Sequence, residues 1–390
     1  MVTGRTRVVL VKLHLYIGLW FGALFVLLGL TGTVLAWRDE IDAALNPDLL
    51  RASAPVSLPV SAQTVHALSR RLQADPRYGK PRLLMLPVSG REVFIAWYPV
   101  KARAPGEDKA KAVPGRSRQV MIDPVTLQIK GERVWGEPGL SRALLMPTLF
   151  HLHHYLLAGD AGKTLAGIGG MLLLIAVLGG VALWWPKAQA RSVRQAFRIT
   201  HGGSWPRLVY SLHRAGGIFA APVLATVAFS GWYLNLPKWV TPVVGSVMTV
   251  TPPGRPASAP PAGDVRPLEA HEAMRAARGL YPSAMVSRIG YPRQPDDVYE
   301  IRLRQPGEVR QGGGATRLYL DAYSGERVGV RDPLRAPAGD TVLNWMYPLH
   351  TGEAFGLPGR IFMSGFGVMP LVFAVTGVLI WWKRRGARRG

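Results

Sequence analysis

Residues 153–185, HHYLLAGDAGKTLAGIGGMLLLIAVLGGVALWW, and residues 350–382, HTGEAFGLPGRIFMSGFGVMPLVFAVTGVLIWW, are two passes over one pattern. Counted from His153, Gly159, Gly162, Lys163, Gly180, Trp184 and Trp185 fall at offsets 6, 9, 10, 27, 31 and 32; counted from His350, Gly356, Gly359, Arg360, Gly377, Trp381 and Trp382 fall at the same offsets. Ungapped agreement of this kind marks an internal repeat, which has to be found before any fold is assigned. The C-terminal part of each stretch is apolar over the length a helix needs to cross about 30 Å of hydrocarbon, roughly 20 residues.

Two further apolar stretches share a second register. His14 stands four residues before Gly18 and eighteen before Gly32; His213 stands four before Gly217 and eighteen before Gly231. Leu-His thus occurs four times, at Leu13-His14, Leu152-His153, Leu212-His213 and Leu349-His350, at or just before each apolar segment. The four predicted spans are 14–37, 164–185, 209–236 and 361–382, the third interrupted by Arg214 and Pro222. The chain reads as parallel in–out–in repeats related by an axis along the membrane normal.

Charge fixes the expected orientation. Segments 1–12, 186–208 and 383–390 hold thirteen Lys and Arg (Arg5, Arg7, Lys12, Lys187, Arg191, Arg194, Arg198, Arg207, Lys383, Arg384, Arg385, Arg388, Arg389) and no acidic residue, whereas all 24 Asp and Glu fall in 38–163 and 237–360. The positive-inside rule then puts both termini in the cytoplasm and the mixed-charge segments outside. The net charge of +23 is thereby assigned to membrane orientation and lipid contact, not to nucleic acid. Trp37, Trp184, Trp185, Trp381 and Trp382 sit at span ends, where amphipathic rings prefer the interface. The first span is followed by Trp37-Arg38-Asp39-Glu40, without a small-residue cleavage site, and reads as an uncleaved anchor.

The expected fold class is a polytopic α-helical membrane protein with two small α+β periplasmic domains. Its organisation is 1–37 (cytoplasmic N-terminus and first span), 38–147 (first outer domain), 148–185 (outer His segment and second span), 186–208 (basic cytoplasmic loop), 209–236 (third span), 237–345 (second outer domain) and 346–390 (outer His segment, fourth span, basic tail). Each outer segment opens on an amphipathic helix pattern, near 61–74 and 267–279, and continues in alternating strands such as 91–97 and 298–303. Pro- and Gly-rich stretches at 101–116, 251–264 and 305–315 read as loops.

The absence of cysteine excludes disulfides, Cys-ligated iron–sulfur clusters, blue copper and covalently attached haem. Ionisable residues in membrane helices are costly and mark function by default. Depth pairs them: His14 with His213 on the inner side, His153 with His350 on the outer side. Two neutral imidazoles facing across a bundle are what a six-coordinate haem b requires, and two such haems imply electron transfer, since a six-coordinate iron has no open position. Gly18 and Gly217, one turn after their histidines, leave room for a flat macrocycle or serve close helix packing. Arg207 and Arg214 inside, with Arg142 and Arg360 outside, are candidate propionate partners, or snorkel to headgroups. His151 and His154 are alternative outer ligands, and the His151/His153/His154 cluster also suits zinc or copper. His66, His201 and His271 match no repeat and read as surface residues.

These residues, with Leu152-His153-His154-Tyr155-Leu156-Leu157-Ala158-Gly159 and the closing Thr376-Gly377-Val378-Leu379-Ile380-Trp381-Trp382-Lys383-Arg384-Arg385, resemble the PepSY-associated transmembrane family over nearly the whole chain. The resemblance implies a bacterial inner-membrane protein with periplasmic PepSY-like domains and a link to iron uptake. Some members are di-haem ferric-siderophore (ferrioxamine-type) reductases, in which the matching ligand positions are His14 with His213 and His153 with His350. On this reading a quinol or a cytoplasmic reductase supplies electrons and a ferric siderophore receives them. The rival expectations are a non-enzymatic module whose PepSY-like domains bind a periplasmic partner such as a protease, and a His-based metal transporter.

Overall fold

The computed structural model describes residues 4–102, 111–185, 194–201, 203–252, 254, 256–260, 263 and 265–386. Lys187, Arg191, Arg388 and Arg389 of the basic segments lie outside the described residues. The principal helices are α1 (Gly4–Leu35), α2 (Ala62–Gln73), α3 (Arg142–Tyr155), α4 (Gly159–Trp184), α5 (Trp205–Asn235), α6 (Ala270–Leu280), α7 (Ala338–Thr351), α8 (Gly356–Phe366) and α9 (Met369–Gly386). The strands are β1 (Leu83–Met85), β2 (Phe94–Ala102), β3 (Lys111–Ile122), β4 (Ile129–Trp135), β5 (Met285–Gly290), β6 (Tyr299–Arg304), β7 (Thr316–Leu320) and β8 (Arg327–Arg331).

The chain divides into two compact units, residues 1–37, 149–243 and 349–390 in one, and 38–148 with 244–348 in the other. The first holds four helical spans long and apolar enough to cross a membrane: α1, α4, α5 and Glu353–Gly386. Helix α4 packs on α1 and α5, and α9 packs on the same two, so α1 and α5 face each other across a diagonal. Small residues let the backbones approach closely, as expected where lipid removes any hydrophobic drive between helices. A Cβ at Gly170 on α4 would stand 2.9 Å from the Ala228 carbonyl oxygen on α5.

Two spans depart from the sequence expectation. Pro222 does not interrupt the third: α5 runs through it, because a membrane helix with packed neighbours tolerates the missing N–H. The fourth is broken instead, at Gly367-Val368 between α8 and α9. There the Thr33 hydroxyl of α1 donates to the Ser364 carbonyl at 2.9 Å, and a Cβ on Gly367 would collide with that hydroxyl and with the Gly29 carbonyl. One carbonyl beside the break is thus satisfied by the neighbouring helix, while the Gly367 and Val368 N–H groups bond to Met363 and Gly365, so that backbone groups keep partners in an apolar setting.

In the second unit all eight strands form one antiparallel sheet, ordered β4-β3-β2-β1-β5-β6-β7-β8. The two outer domains expected from sequence therefore share one sheet and one core. The join is β1 against β5, with Leu83, Leu84 and Met85 opposite Gly290, Ile289 and Arg288. Four strands from either segment alone would end on an unpaired edge, and pairing the two edges removes both liabilities. Alternation on β6 buries Tyr299, Ile301 and Leu303, which meet Leu68 and Leu72 of α2 and Ala273, Met274 and Ala277 of α6 in one apolar cluster. Ser61 caps α2, accepting from the Thr64 N–H at 3.0 Å; Glu272 accepts from the Glu269 N–H at 2.6 Å at the start of α6.

Candidate functional site

Four helix segments each bring one histidine into the membrane unit. His14 lies on α1 and His213 on α5; His153 lies near the end of α3 and His350 near the end of α7, just before the turns into α4 and α8. The turns after His153 and His350 are built from glycines at matching offsets. Gly159 and Gly356 take φ of +56° and +62°, a left-handed conformation that glycine adopts without a steric cost. Three residues later a Cβ on Gly162 or Gly359 would collide with the carbonyl of Tyr155 or Gly352, so only glycine lets the helix close against the turn.

His14 and His213 stand with ring centroids 6.2 Å apart and planes at 89°; His153 and His350 stand 6.3 Å apart at 64°. The four rings are held alike. Nδ1 of His153 lies 2.9 Å from Thr31 Oγ1, Nδ1 of His350 lies 2.9 Å from Ser230 Oγ, and Nδ1 of His213 lies 2.8 Å from Thr376 Oγ1. Each hydroxyl already donates to carbonyls of its own helix: Thr31 to Leu27, Ser230 to Thr226 and Thr376 to Val372. With its one proton so placed, the hydroxyl accepts, and the imidazole carries its hydrogen on Nδ1. His14 Nδ1 lies 2.9 Å from the Ala176 carbonyl, an obligate acceptor, and is protonated for the same reason. Among the described residues the hydrogen bonds of all four rings are made at Nδ1, which leaves the Nε2 lone pair as the one each ring can offer to a metal.

A glycine of a neighbouring helix accepts each ring. A Cβ would stand 3.2 Å from Cε1 of His153 at Gly32 and 3.2 Å from Cε1 of His14 at Gly180; the figures are 3.4 Å for His350 at Gly231 and 3.6 Å for His213 at Gly377. These are glycines the repeat registers pick out. The hydroxyls were not found by that reading, although Thr31, Ser230 and Thr376 each precede one of the four glycines. At the fourth position the residue is Gly179, and His14 instead reaches Ala176, whose counterpart in the repeat is Phe373, one of the carbonyls that Thr376 engages. Gly18 and Gly217 border open space: a Cβ at either meets nothing within 4 Å.

Of the clustered outer histidines, His153 faces His350. His151 stacks on Tyr155 at 5.4 Å and His154 on Phe150 at 5.5 Å, with their rings engaged in an aromatic group on α3. Both outer-pair rings keep some accessible surface yet are densely surrounded. That desolvation, with the His350 charge a lesser cause, holds His153 near 3; desolvation holds His350 near 4. Both imidazoles are neutral at physiological pH, the state in which imidazole ligates metals.

The four arginines are placed unequally. Arg142 forms a two-pronged ion pair with Asp48, at 3.0 and 2.8 Å. Arg360 donates to the Ala36 carbonyl at 3.1 and 2.6 Å and lies over Trp37 at 4.3 Å. Both guanidinium groups are engaged within the protein. Arg214, next in sequence to His213, donates to the Gln195 carbonyl and keeps a buried Nε without a partner among the described residues. Arg207 lies beside Gly203 at the start of α5.

Four apolar helical spans, with one imidazole pair on two of them and a second on the segments leading into the other two, and an antiparallel sheet with helices on it define a multi-pass membrane protein with a soluble α+β part. The family described as the PepSY-associated TM region matches residues 11–384, and the chain belongs to it. No curated protein matches the chain.

Proposed function

We propose that this protein is a transmembrane electron-transfer protein that holds two haem b groups, one between His14 and His213 and one between His153 and His350. The carrying observation is the pair of ring separations. Two imidazoles that shared one iron, each with a metal–nitrogen bond of about 2.0–2.1 Å and about 1.1 Å more to its ring centre, would stand with centroids up to roughly 6.2–6.4 Å apart. The two pairs measure 6.2 and 6.3 Å. The Nδ1–H of every ring is already engaged, as metal-ligating histidines require of their second nitrogen. The open flanks of Gly18 and Gly217 suit a flat group beside the inner pair.

Haem, when bound, supplies one-electron exchange between ferric and ferrous iron. The chain's own contribution is orientation and tuning: Thr31, Ser230, Thr376 and the Ala176 carbonyl fix each tautomer and raise the basicity of Nε2. Gly32, Gly180, Gly231 and Gly377 give the rings their seats. Arg214, with its unpartnered Nε, is the best placed of the four arginines to meet a propionate, and Arg207 stands about two turns earlier on the same helix.

In this reading the basic segments are cytoplasmic, the sheet unit is periplasmic in a bacterial inner membrane, and the two halves arose by duplication. The charge distribution, the shared registers and the strand order that meets at β1 and β5 support it. Electrons from a quinol or a cytoplasmic reductase would reduce ferric siderophore iron on the outer side, where the weaker hold of hard oxygen ligands on Fe(II) favours release. The substrate class rests on the resemblance to di-haem ferric-siderophore reductases read from the sequence; the imidazole pairs carry the redox part.

The test is haem stoichiometry in detergent-purified protein from cells with ample haem supply. Two haems per chain with bis-imidazole spectra are expected, and His14→Ala or His213→Ala should lower the ratio to one, as should His153→Ala or His350→Ala at the other site. A colourless wild-type protein would overturn the redox reading and leave the chain as a membrane module for a periplasmic partner.

A further inference from the structure

His66 and His271 are 205 residues apart in sequence and belong to no repeated pattern, yet α2 and α6 pack together and bring their rings to 4.3 Å between centroids. The sequence reads both as surface residues; His66 is at the surface, whereas His271 is largely covered and the two rings meet. Nδ1 of His66 lies 3.2 Å from Nδ1 of His271; Glu269 Oε2 lies 3.2 Å from the first and 3.3 Å from the second. Three donor atoms thus form a nearly equilateral triangle in the sheet unit.

We infer that His66, Glu269 and His271 form a zinc(II) site in the soluble unit, independent of the imidazole pairs in the membrane. Neutral rings could meet the carboxylate as Nδ1–H donors; with the hydrogens on Nε2 instead, all three atoms turn lone pairs to a metal above the face of the triangle. Tetrahedral zinc with bonds of about 2.0–2.1 Å sets its ligand atoms about 3.3–3.4 Å apart, close to the edges found here. Two imidazoles and one carboxylate are a donor set zinc accepts, with water completing the fourth position. The side chains of His66 and Glu269 are 45% and 32% exposed, so that position opens to solvent; His271, at 17%, anchors the site from inside.

The surroundings keep the triangle in place. Arg266 pairs with the other oxygen of Glu269 at 3.5 Å and with Glu272 at 3.1 Å, turning Oε2 toward the rings. Glu272 in turn holds the Glu269 N–H, which fixes the start of α6. An accessible coordination position points to a site that exchanges its ion with the medium.

Calorimetric titration of ZnCl2 into the full-length protein in detergent, after stripping with chelator, tests the assignment. One zinc per chain is expected, with X-ray absorption showing two imidazole nitrogens and light oxygen donors at tetrahedral distances. His66→Ala and His271→Ala should each weaken binding at least tenfold, and Glu269→Gln should do the same while keeping the size and packing of the side chain. The haem-to-protein ratio should be unchanged in all three. No zinc uptake by the wild type would show that the triangle is held by hydrogen bonds alone. Undiminished uptake by the His66→Ala/His271→Ala double variant would place the ion elsewhere, and either result overturns the proposal.

Discussion

The two imidazole pairs, His14 with His213 and His153 with His350, called inner and outer here after the sides the charge pattern predicts, are alike in span and unlike in support. Both hold their rings 6.2–6.3 Å apart, and both seat every ring against a glycine of a neighbouring helix. The outer pair is held by two hydroxyls, Thr31 and Ser230, whereas the inner pair is held by one hydroxyl, Thr376, and one bare carbonyl, that of Ala176. The outer histidines also sit at the ends of α3 and α7, each ahead of a glycine-built turn, while the inner ones lie within continuous helices. What is shared is therefore the distance and the ring seat. What varies is the acceptor at Nδ1, which in a metal site orients the ring and tunes the ligand's basicity.

If the ring seat is the shared requirement, filling it should have the largest effect. Gly32→Leu puts a branched side chain where a Cβ alone would already stand 3.2 Å from Cε1 of His153. The ring must leave its position, and the pair would no longer present its two nitrogens to one metal. If the proposed haems are bound, the expected outcome is a fall in haem-to-protein ratio from two to one with the spectrum of the His14–His213 site preserved. Gly180→Leu should produce the converse. Full haem content in both variants would show that the glycines serve helix packing alone.

A weaker effect follows from the acceptor. Thr31→Val keeps the shape of the side chain and removes the oxygen that receives the His153 Nδ1–H. Less basic imidazole stabilises ferric iron less, so the outer midpoint potential should rise. A hydrogen bond worth about 0.5–1.5 kcal/mol sets an upper bound of roughly 60 mV for a one-electron couple. Haem content should remain at two, and redox titration should leave the inner component unmoved. A downward shift would contradict the assigned direction of that hydrogen bond.

These three residue classes were not equally legible. The histidines and glycines could be read from the chain because they recur at fixed offsets, and a repeated ionisable residue at a helix start is a signal in itself. The hydroxyls stand one position before the glycines, but Thr and Ser are ordinary in membrane helices, and the exception at Gly179 breaks the pattern. The single sheet was not legible either: the pairing of Leu84 with Ile289 joins strands two hundred residues apart, and local alternation specifies a strand without specifying its partner. The same holds for His66 and His271, which only the packing of α2 on α6 brings together. Arg142 looked available from sequence because its partner Asp48 lies 94 residues earlier. The break between α8 and α9 hid inside a hydropathy pattern that does not register a two-residue interruption.

Gly179 offers the finest version of the comparison, because it is where the inner pair departs from the other three supports. Nothing lies within 4 Å of a Cβ built there, so Gly179→Thr should be accommodated. By the register of Thr376, the new hydroxyl would stand between His14 Nδ1 and the Ala176 carbonyl, donating to the carbonyl and accepting from the ring. One acceptor then replaces another, and the inner midpoint should move by less than the outer one moves in Thr31→Val, with both haems retained. Replacing glycine inside a helix also removes a helix-propensity penalty of a few tenths of a kcal/mol, which works in favour of the variant. A large shift of the inner component, or loss of its haem, would mean that the carbonyl contact is required at this site, and that the two pairs differ in mechanism as well as in support.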